Sequence, residues 1–513
     1  MTERDGASIS LWQDSVPYYT ARNESTARNY DVVIAGGGIT GLSTALLLQQ
    51  AGRSCVVLES QSLGFGTTGG TTAHLNTLLD TPYTTIISNF DEKTAKLVAD
   101  AARASIELVK QNIRTHHIDC GFMETPAWLF SQTEKQTKEL QDLYEACLKV
   151  ELDIVYSKDI PVPIPFEQAL RINKQAKFHP LDYLYGIAKA FEAAGGVIIQ
   201  HCRVLNTRGD GRITVETSRG EYEAGALIYA THIPMGVNLL HLRCAPYRSY
   251  AMAVKLKNRS GYPQGLAYDS CDPYHYYRSQ IVNGEEYLIA GGEDHKTAHE
   301  ENTDRCFLQL EAHIRKYFAV ENIAYKWSSQ YFEPADGLPY IGHLPGHPDN
   351  IYVATGYGGN GITYSGVAAQ VLKSLVMQED NPLIAVFDPN RIKPIAGFTN
   401  FVKENADVAK QLLLRILPAD KMESLAELAP GEGKVIRYEG ETVGLYKDHQ
   451  GQLHAVNPVC THLKCTVEWN GAEQSWDCPC HGARYSCDGK VLTGPASRNL
   501  DNIPIESLIE EHH

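Results

Sequence analysis

The sequence predicts two regions of different fold class, an α/β region with an α+β companion followed by an all-β region. Three observations lead to this prediction. A strand–turn–helix–strand succession occupies residues 31–59. Residues 245–330 carry mostly strand patterns, with one helix pattern near 302–317. From about Leu425 onward, short apolar runs alternate with Gly, Pro and Asn turns, which is typical of a small β domain.

The elements of the α/β region follow from the hydrophobic periodicity of the chain. The first βαβ unit has a strand at 31–35, a helix at 42–50 and a second strand at 54–59. Two more strands, at 196–200 and 226–230, are expected to join the same sheet. The other expected elements are helices at about 92–116, 133–149 and 181–194, a strand at about 121–131, and a last strand and helix at 351–355 and 362–377.

The composition excludes some classes of function. The chain has 61 acidic and 46 basic residues, which gives a formal net charge of -15. Nucleic-acid binding needs clustered Lys and Arg, so this balance predicts no nucleic-acid partner. We find no apolar run of about 18 residues, the length that a membrane-spanning helix needs, and no leader pattern at the first residues. The sequence therefore predicts a cytoplasmic protein without a transmembrane segment.

A glycine-rich turn lies between the first strand and the first helix. Its glycines allow a tight turn, close approach of a pyrophosphate to the backbone, and close packing of helix on strand. The start of the helix offers free N–H groups to phosphate, and the acid that ends the second strand is spaced to bind a ribose. The motif alone does not choose between FAD and NAD. The candidate residues are Gly36, Gly38, Ile39, Thr40, Gly41 and Glu59.

Three further segments favour FAD. Residues 64–74, 336–342 and 355–363 resemble the flavin-contacting segments of the D-amino-acid oxidase/glycine oxidase superfamily, and the similarity extends over roughly residues 30–380. This resemblance implies a Rossmann-like FAD-binding domain, an α+β substrate domain, and an isoalloxazine ring between them. It adds the candidate cofactor residues Thr67, Thr68, Thr72, Ala73, Gly356, Gly359, Asn360, Gly361, Ile362 and Thr363.

The same resemblance suggests domain boundaries. We expect the FAD-dependent oxidoreductase to cover residues 1–390 and a helical linker to cover 391–424, with its helix at 398–417. The all-β domain then covers 425–513. Within the oxidoreductase, the FAD-binding segments are about 30–80, 181–240 and 330–380, and the substrate domain is about 81–180 and 245–330.

The residues that would carry the reaction are harder to identify. No general base is obvious, and the weak candidates are Arg278, Tyr277 and His275. Arg278 would contact a substrate, or it would be a structural arginine stacked among tyrosines. His74 is either a covalent attachment point for FAD or a core histidine. Some relatives place Arg or Lys in the glycine loop to hold a substrate carboxylate, and this chain does not, which makes a simple amino-acid substrate doubtful.

Two mixed Cys/His motifs lie near the C-terminal end of the sequence. Cys460 and His462 form one pair, and Cys478 and His481 form the other. Two thiolates and two imidazoles are the ligands of a Rieske [2Fe-2S] cluster. Structural zinc accepts the same set, but zinc fingers usually pair Cys with Cys and His with His along the chain. The mixed pairs therefore favour the iron–sulfur cluster.

The region from about 425 to 513 also resembles Rieske domains as a whole. In the Rieske proteins of cytochrome bc complexes, cysteines at the positions of Cys465 and Cys480 form a disulfide between the cluster loops. The resemblance implies the same bond here, and the alternative is two buried thiols. It also implies that Tyr485 donates a hydrogen bond to a ligand sulfur.

Together these motifs predict an FAD-dependent dehydrogenase of an amine, amino acid or related small molecule. Electrons would pass from the flavin to the cluster and then to an external acceptor, either a protein or a quinone, which would meet the histidine tip of the cluster. One alternative is a reductase in which electrons enter through the cluster. The other is a non-catalytic electron-transfer or redox-sensing module.

Overall fold

The computed structural model describes residues 4–22, 25–391, 420–421, 428–438 and 441–505. Apart from residue 391 and the short strand Asp420–Lys421, the expected linker and its helix at 398–417 lie outside the described residues. Among the residues that are described, we find no helix that combines the length and the apolar character needed to cross a bilayer.

The first sheet contains the predicted βαβ unit. Strand Asn29–Ala35 lies between Cys55–Leu58 and Gly220–Tyr229 and runs parallel to both. Cys55–Leu58 is buried throughout, as expected for an apolar strand inside a parallel sheet. In spatial order the strands are Tyr340–His343, Ile351–Thr355, Gly220–Tyr229, Asn29–Ala35, Cys55–Leu58 and Val197–Ile199. Ile213–Thr217 pairs antiparallel with Gly220–Tyr229, and Val204–Arg208 pairs antiparallel with Ile213–Thr217.

Each helix predicted within residues 25–391 is present with bounds that differ from the prediction by at most three residues, and the short helices Leu11–Ser15, Thr67–Gly70, Tyr83–Asn89 and Leu383–Phe387 were not predicted. Helix Glu92–His116 begins after Asp91, whose side chain accepts a hydrogen bond from the Thr94 N–H at 2.6 Å. It ends at His117, which has a left-handed conformation with φ of 51°. The other helices are Leu11–Ser15, Ile39–Gln50, Thr67–Gly70, Tyr83–Asn89, Glu134–Lys149, Pro180–Ala193, Thr303–Tyr317, Gly361–Met377 and Leu383–Phe387, with 3₁₀ turns at Leu239–Leu242 and Lys257–Arg259.

The second sheet has nine strands among the described residues and is almost entirely antiparallel. The segments that form this sheet alternate along the chain with the segments that form the first sheet. In spatial order its strands are Val320–Pro334, Cys244–Leu256, Glu285–Lys296, Tyr276–Val282, Leu266–Asp269, Met123–Ser131, Gln168–Lys177 and His74–Leu75, with Ile154–Ser157 paired to Gln168–Lys177.

The C-terminal region is all-β, as predicted, and forms two small sheets. Its core packs Trp476, Tyr485 and Val467 around the predicted cluster cysteines. The first sheet orders Asp420–Lys421, Gly433–Tyr438, Glu441–Lys447 and Leu453–Val456, and the second orders Glu468–Asn470, Ser475–Asp477, Arg484–Ser486 and Val491–Thr493.

A buried group of charges joins this β domain to the rest of the chain, and we call it the interdomain charge cluster. Its members are Arg4, Asp5, Arg248, Glu473, Asp477 and Arg484, each with a side chain at most 2% exposed. Arg484 Nε lies 3.0 Å from Asp477 Oδ1, and its Nη1 lies 3.5 Å from Asp5 Oδ2. Arg248 Nη2 lies 3.6 Å from Glu473 Oε1. Three cations and three anions therefore balance across the interface.

Candidate functional site

One continuous cavity connects the glycine-rich turn, the second sheet and the β domain. The turn after Asn29–Ala35, the segment 64–72 and the loop 358–362 all line it. Its far end is formed by strands of the second sheet. Leu492, Thr493 and Gly494 of the β domain line it as well. The two regions predicted from the sequence thus share a wall of the same cavity.

The glycine-rich turn is shaped to receive a dinucleotide. Helix Ile39–Gln50 begins at Gly38 with no side-chain cap, which is the arrangement that lets backbone N–H groups bind phosphate. A Cβ on Gly41 would lie 2.0 Å from the carbonyl oxygen of Gly36, so only glycine allows this helix and turn to pack. Glu59 Oε2 accepts a hydrogen bond from the Gly37 N–H at 2.7 Å. These residues fit FAD.

Most of the predicted cofactor residues line the cavity. Four do not: Gly41, Ala73, Gly356 and Thr363 lie outside its lining. Thr363 is fully buried, and its Oγ1 donates to the carbonyl oxygen of Asn76 at 2.8 Å. Those that line the cavity are Gly36, Gly38, Ile39, Thr40, Glu59, Thr67, Thr68, Thr72, Gly359, Asn360, Gly361 and Ile362.

None of the three candidate catalytic residues lines the cavity. Arg278 is fully buried and donates to the carbonyl oxygens of Ala73 at 2.6 Å and Thr72 at 3.0 Å, so it holds the backbone that borders the cavity. Tyr277 lies on the face of its strand opposite to Tyr276, which does line the cavity. Alternate side chains of a strand point to opposite faces, and the sequence alone did not show which face is inward.

The third candidate, His275, belongs to a separate buried group. Its Nδ1 lies 2.9 Å from Asp269 Oδ2, and its Nε2 lies 3.4 Å from Glu293 Oε1. Burial alone would lower the pKa of His275, but its hydrogen bonds to the two carboxylates raise this pKa to about 9. His275 is therefore a charged structural residue, with its ring stacked 3.7 Å from that of His313.

The far end of the cavity contains two carboxylates. Asp80 opens onto the cavity, and its Oδ2 accepts from the Gly359 N–H at 2.7 Å. Asp294 Oδ2 accepts from the Tyr331 hydroxyl at 2.9 Å. Enclosure by protein raises the pKa of Asp80 to about 6 and that of Asp294 to about 7, and the charge of Asp80 adds to the effect on Asp294.

Four tyrosines surround the same end of the cavity: Tyr268, Tyr274, Tyr276 and Tyr331. The Tyr276 hydroxyl lies 2.9 Å from Ser249 Oγ, and the rings of Tyr274 and Tyr276 have centroids 5.8 Å apart. The Tyr268 hydroxyl lies 2.8 Å from His74 Nδ1. These bonds fix an aromatic wall around the two acids.

The predicted cluster ligands are brought together in the β domain. His462 Nδ1 and both ring nitrogens of His481 are buried and have no hydrogen-bond partner among the described residues. Buried imidazole nitrogens without partners are what a metal centre would satisfy. The thiols of Cys460 and Cys478 hydrogen bond to each other. The donor set therefore fits a [2Fe-2S] cluster held by two sulfurs and two nitrogens.

The residues around the ligands also follow the prediction. Cys465 and Cys480 form a disulfide with an S–S distance of 2.02 Å, which confirms the bond that the resemblance implied. Their sulfurs lie within 4.8 Å of Cys478 Sγ, so the disulfide supports the ligand loops. The Tyr485 hydroxyl lies 3.2 Å from Cys460 Sγ, in position to donate to that sulfur.

The histidine tip of the cluster faces the flavin-binding region. His462 Nε2 lies 3.0 Å from the carbonyl oxygen of Gly236, and the His241 ring centroid lies 4.6 Å from that of His462 and 5.8 Å from that of His481. The expectation that this tip meets an outside partner is therefore wrong for His481, which is 2% exposed. His462 remains partly exposed.

Gly482 links the two candidate cofactor sites. It follows the ligand His481, and its carbonyl oxygen accepts a hydrogen bond from Gln330 Nε2 at 2.9 Å. A Cβ on Gly482 would lie 3.2 Å from the Phe332 ring. Gln330 and Phe332 both line the cavity. The cluster loop thus rests directly on the cavity wall.

Sequence reasoning missed several of these residues. Asp294 comes two positions after the Gly291–Gly292 pair that took part in the family resemblance, so the strand register would have placed it near the cavity. Asp80, Gln330 and His241 belong to no motif and carry no such signal. Their roles depend on contacts between segments far apart in sequence.

Comparison with known proteins agrees with both sites. Residues 31–375 match the family model described as FAD dependent oxidoreductase, and residues 421–504 match the model of the Rieske [2Fe-2S] domain. The chain is 35% identical over 505 residues to the putative Rieske 2Fe-2S iron-sulfur protein YhfW of Bacillus subtilis (strain 168), and the similarity covers 98% of each chain.

Two other relatives resemble the oxidoreductase region. The gamma-glutamylputrescine oxidoreductase of Escherichia coli (strain K12) is 24% identical, over 73% of this chain and 90% of that protein. The glycine oxidase structure from Geobacillus kaustophilus superimposes with a TM-score of 0.59 and 18% identity, over 71% of this chain and 100% of that chain. With cofactor sites for FAD and a [2Fe-2S] cluster in one molecule, this chain belongs to the FAD dependent oxidoreductase family and carries a Rieske domain.

Proposed function

We propose that this protein is a dehydrogenase that oxidises an amine, amino acid or related small molecule and passes the electrons through its own Rieske cluster to an external acceptor. Oxidation of an amine at its CH–NH unit gives an imine, two electrons and two protons. Bound FAD would supply the two-electron acceptor and the [2Fe-2S] cluster a one-electron carrier. The acceptor, a protein or a quinone, takes the electrons from the cluster one at a time.

The contact of Gly482 with the cavity wall is the observation that carries this proposal. Gln330 bonds to the backbone beside the predicted ligand His481 and lines the flavin cavity, so one buried hydrogen bond links the residues that would hold the two cofactors. The neighbouring His241 is held neutral and fixed. Its Nδ1 accepts from the Asn238 N–H at 3.2 Å, its Nε2 donates to the Pro234 carbonyl at 2.9 Å, and burial lowers its pKa to about 3.

The partial exposure of His462 supports an exit for the electrons. His481 is covered by the flavin-binding region, so an external acceptor would approach the cluster from the His462 side. This arrangement favours a relay over a separate redox-sensing module, because a sensor would not need its cluster against the flavin cavity.

The test is an anaerobic mixing experiment with the intact holoenzyme. Candidate amines and amino acids are added, the flavin absorbance is followed, and the reduced cluster is detected by electron paramagnetic resonance. We expect flavin bleaching to precede the cluster signal. A Cys478→Ser chain, which lacks one cluster ligand, serves as the control and should bleach without producing that signal.

Two results would contradict the proposal. If the intact enzyme bleaches and the cluster stays oxidised, the relay is wrong. If no amine or amino acid bleaches the flavin, but a reduced carrier added at the cluster does, electrons enter through the cluster and the protein is a reductase.

A further inference from the structure

We propose that the tyrosine end of the cavity binds its substrate as a cationic amine that carries no carboxylate, with Asp80 and Asp294 as the counter-ions. This inference rests on the proposed oxidation at the flavin, and it names the substrate class of that site. The class comprises alkylamines and diamines, as opposed to zwitterionic amino acids.

The charge of the cavity wall excludes an anionic group at this end. Among the described residues that line the cavity, Arg203 is the one Arg or Lys, and it lies at the dinucleotide end, where it donates to the carbonyl oxygen of Val491 at 3.1 Å. Two nearby buried cations already serve the backbone. Arg278 donates to Ala73, and Lys177 Nζ donates to the carbonyl oxygen of Ser279 at 2.7 Å.

A substrate carboxylate would therefore meet acids and no cationic partner. Recognition of a carboxylate in a protein normally uses Arg or Lys, and Arg makes the bidentate contact. A buried carboxylate placed near Asp80 and Asp294 would be desolvated and repelled by both. An amino acid would meet this repulsion through its own carboxylate, whereas an amine without one would not.

Neither acid in the wall forms a salt bridge among the described residues, and the charged His275 near Asp294 is itself paired with Asp269 and Glu293. Asp294 Oδ1 is buried and has no hydrogen-bond partner among the described residues. Each carboxyl group is held by neutral donors: the Tyr331 and Ser249 hydroxyls for Asp294, and the Gly359 N–H with the Asn360 side chain for Asp80. Burial is the largest cause of both raised pKa values, and for Asp294 it outweighs the opposite influence of the charged His275. An ammonium group would supply the missing charge.

The aromatic wall suits a cation as well. Tyr268, Tyr274, Tyr276 and Tyr331 line the same end, and the electron-rich faces of aromatic rings attract alkylammonium groups. His74, between Tyr268 and Tyr276, does not compete as a cation, because burial holds its pKa well below the usual value. Two carboxylates and four rings around one space form a cage for positive charge.

The experiment measures binding to the holoenzyme after its flavin and cluster have been reduced by dithionite, so that no probe can be oxidised. The probes are tetramethylammonium, which has no N–H and no lone pair to oxidise, then propylamine, propionate and glycine, each titrated under anaerobic conditions. The readouts are the perturbation of the bound flavin spectrum and isothermal titration calorimetry. We expect tetramethylammonium and propylamine to bind at least about tenfold more tightly than propionate and glycine.

Variants assign the effect to the two acids. Asp294→Asn and Asp80→Asn should each weaken propylamine binding by about tenfold to a hundredfold. Asp294→Glu, which keeps the charge, should retain most of the affinity. Asp349→Asn removes an exposed carboxylate that does not line the cavity and should change nothing. If Asp294→Asn does not fold, the comparison of Asp80→Asn with Asp294→Glu decides the same question.

The outcomes separate this inference from the proposed relay. Equal binding of glycine and propylamine, or unchanged affinity in both Asn variants, overturns the cationic site even if the cluster becomes reduced. Selective amine binding that depends on Asp294 supports the cationic site even if the cluster never becomes reduced, a result that would contradict only the relay.

Discussion

Two groups of buried acids in this protein have opposite surroundings. The interdomain charge cluster holds Asp5, Glu473 and Asp477 among three arginines. The cavity holds Asp80 and Asp294 with neutral donors. Both groups are enclosed by protein, so burial acts on both in the same direction. The difference lies in the charges placed beside them.

The pKa values record this difference. Burial would raise the pKa of Asp5 and Asp477, but neighbouring guanidinium groups, including Arg484, lower both below their usual value. In the cavity, the same burial raises the pKa of Asp80 and Asp294. The first group has satisfied its charges within the protein and joins two domains. The second group, Asp80 and Asp294, would receive its opposite charge from a cation that binds in the cavity.

The largest expected effect comes from breaking the paired group. Arg484→Met leaves Asp5 and Asp477 short of a cation, and removing one partner of a buried ion pair costs about 3–5 kcal/mol. We expect a marked fall in the urea midpoint of unfolding, measured by Trp fluorescence.

The control for this variant is Arg315→Met. Arg315, whose side chain is 47% exposed, pairs with Glu311 one helical turn away. Its replacement should lower the free energy of unfolding by at most about 1 kcal/mol. Equal shifts of the midpoint in the two variants would show that the interdomain charge cluster adds nothing to the domain contact.

The next largest effect is expected at the contact between Gly482 and the cavity wall. Gly482 has a positive φ of 71°, and a Cβ there would lie 2.7 Å from Pro246 Cβ and 2.8 Å from Gln330 Nε2. Gly482→Ala therefore adds strain of about 1–3 kcal/mol and pushes the cluster loop from the cavity wall. Stopped-flow absorbance should show unchanged flavin reduction and slower cluster reduction.

Gly284→Ala is the matched control for Gly482→Ala. Gly284 has a similar φ of 81°, but a Cβ there meets nothing within 4 Å. Gly284→Ala should therefore introduce the same backbone strain without slowing electron transfer to the cluster. Slower cluster reduction in both variants would mean that the Gly482 contact has no special part in the relay.

A smaller effect comes from titration of the unpaired group. Asp80 and Asp294, with pKa values of about 6 and 7, lose their protons between about pH 5 and 8, while an alkylamine stays charged to about pH 10. Affinity for propylamine should therefore rise between pH 5.5 and 8, by about fourfold if Asp80 must ionise and about thirtyfold if Asp294 must ionise. Calorimetric titration at pH 5.5 and 8 tests this, and affinity that falls with pH contradicts it.

The contrast between these two groups also shows what sequence reasoning reached. The nucleotide turn at Gly36–Gly41 and the predicted ligands Cys460, His462, Cys478 and His481 lie in local motifs, because each is set by one turn or one pair of loops. Arg4 and Glu473 are separated by more than four hundred residues, and their contact is decided by how the domains pack. The same is true of Asp80 beside Gly359. Local spacing predicts a motif, but it does not predict which distant charge will be beside it.

The smallest expected effect is the pH-dependent part of stability that Asp294 contributes, and replacement of Asp by Asn should have opposite signs in the two groups at pH 8. Asp294 has a pKa of about 7 in the folded state and about 3.9 when unfolded, so the folded state binds more protons between these values and loses stability as pH rises through them. Asp294→Asn removes this loss. The melting temperature of the variant minus that of the native protein should therefore be about 1–3 °C higher at pH 8 than at pH 5.

Asp477→Asn tests the other sign. The pKa of Asp477 is lowered, so its contribution to stability is present above the unfolded pKa and is lost only as pH falls through the folded value. The Asn variant should therefore melt below the native protein at both pH 5 and pH 8, with the same deficit at each. Thermal scans of both variants beside Asp349→Asn make the comparison. If Asp294→Asn lowers the melting temperature as Asp477→Asn does, then Asp294 already has its counter-charge within the protein, and an entering cation is not needed to explain it.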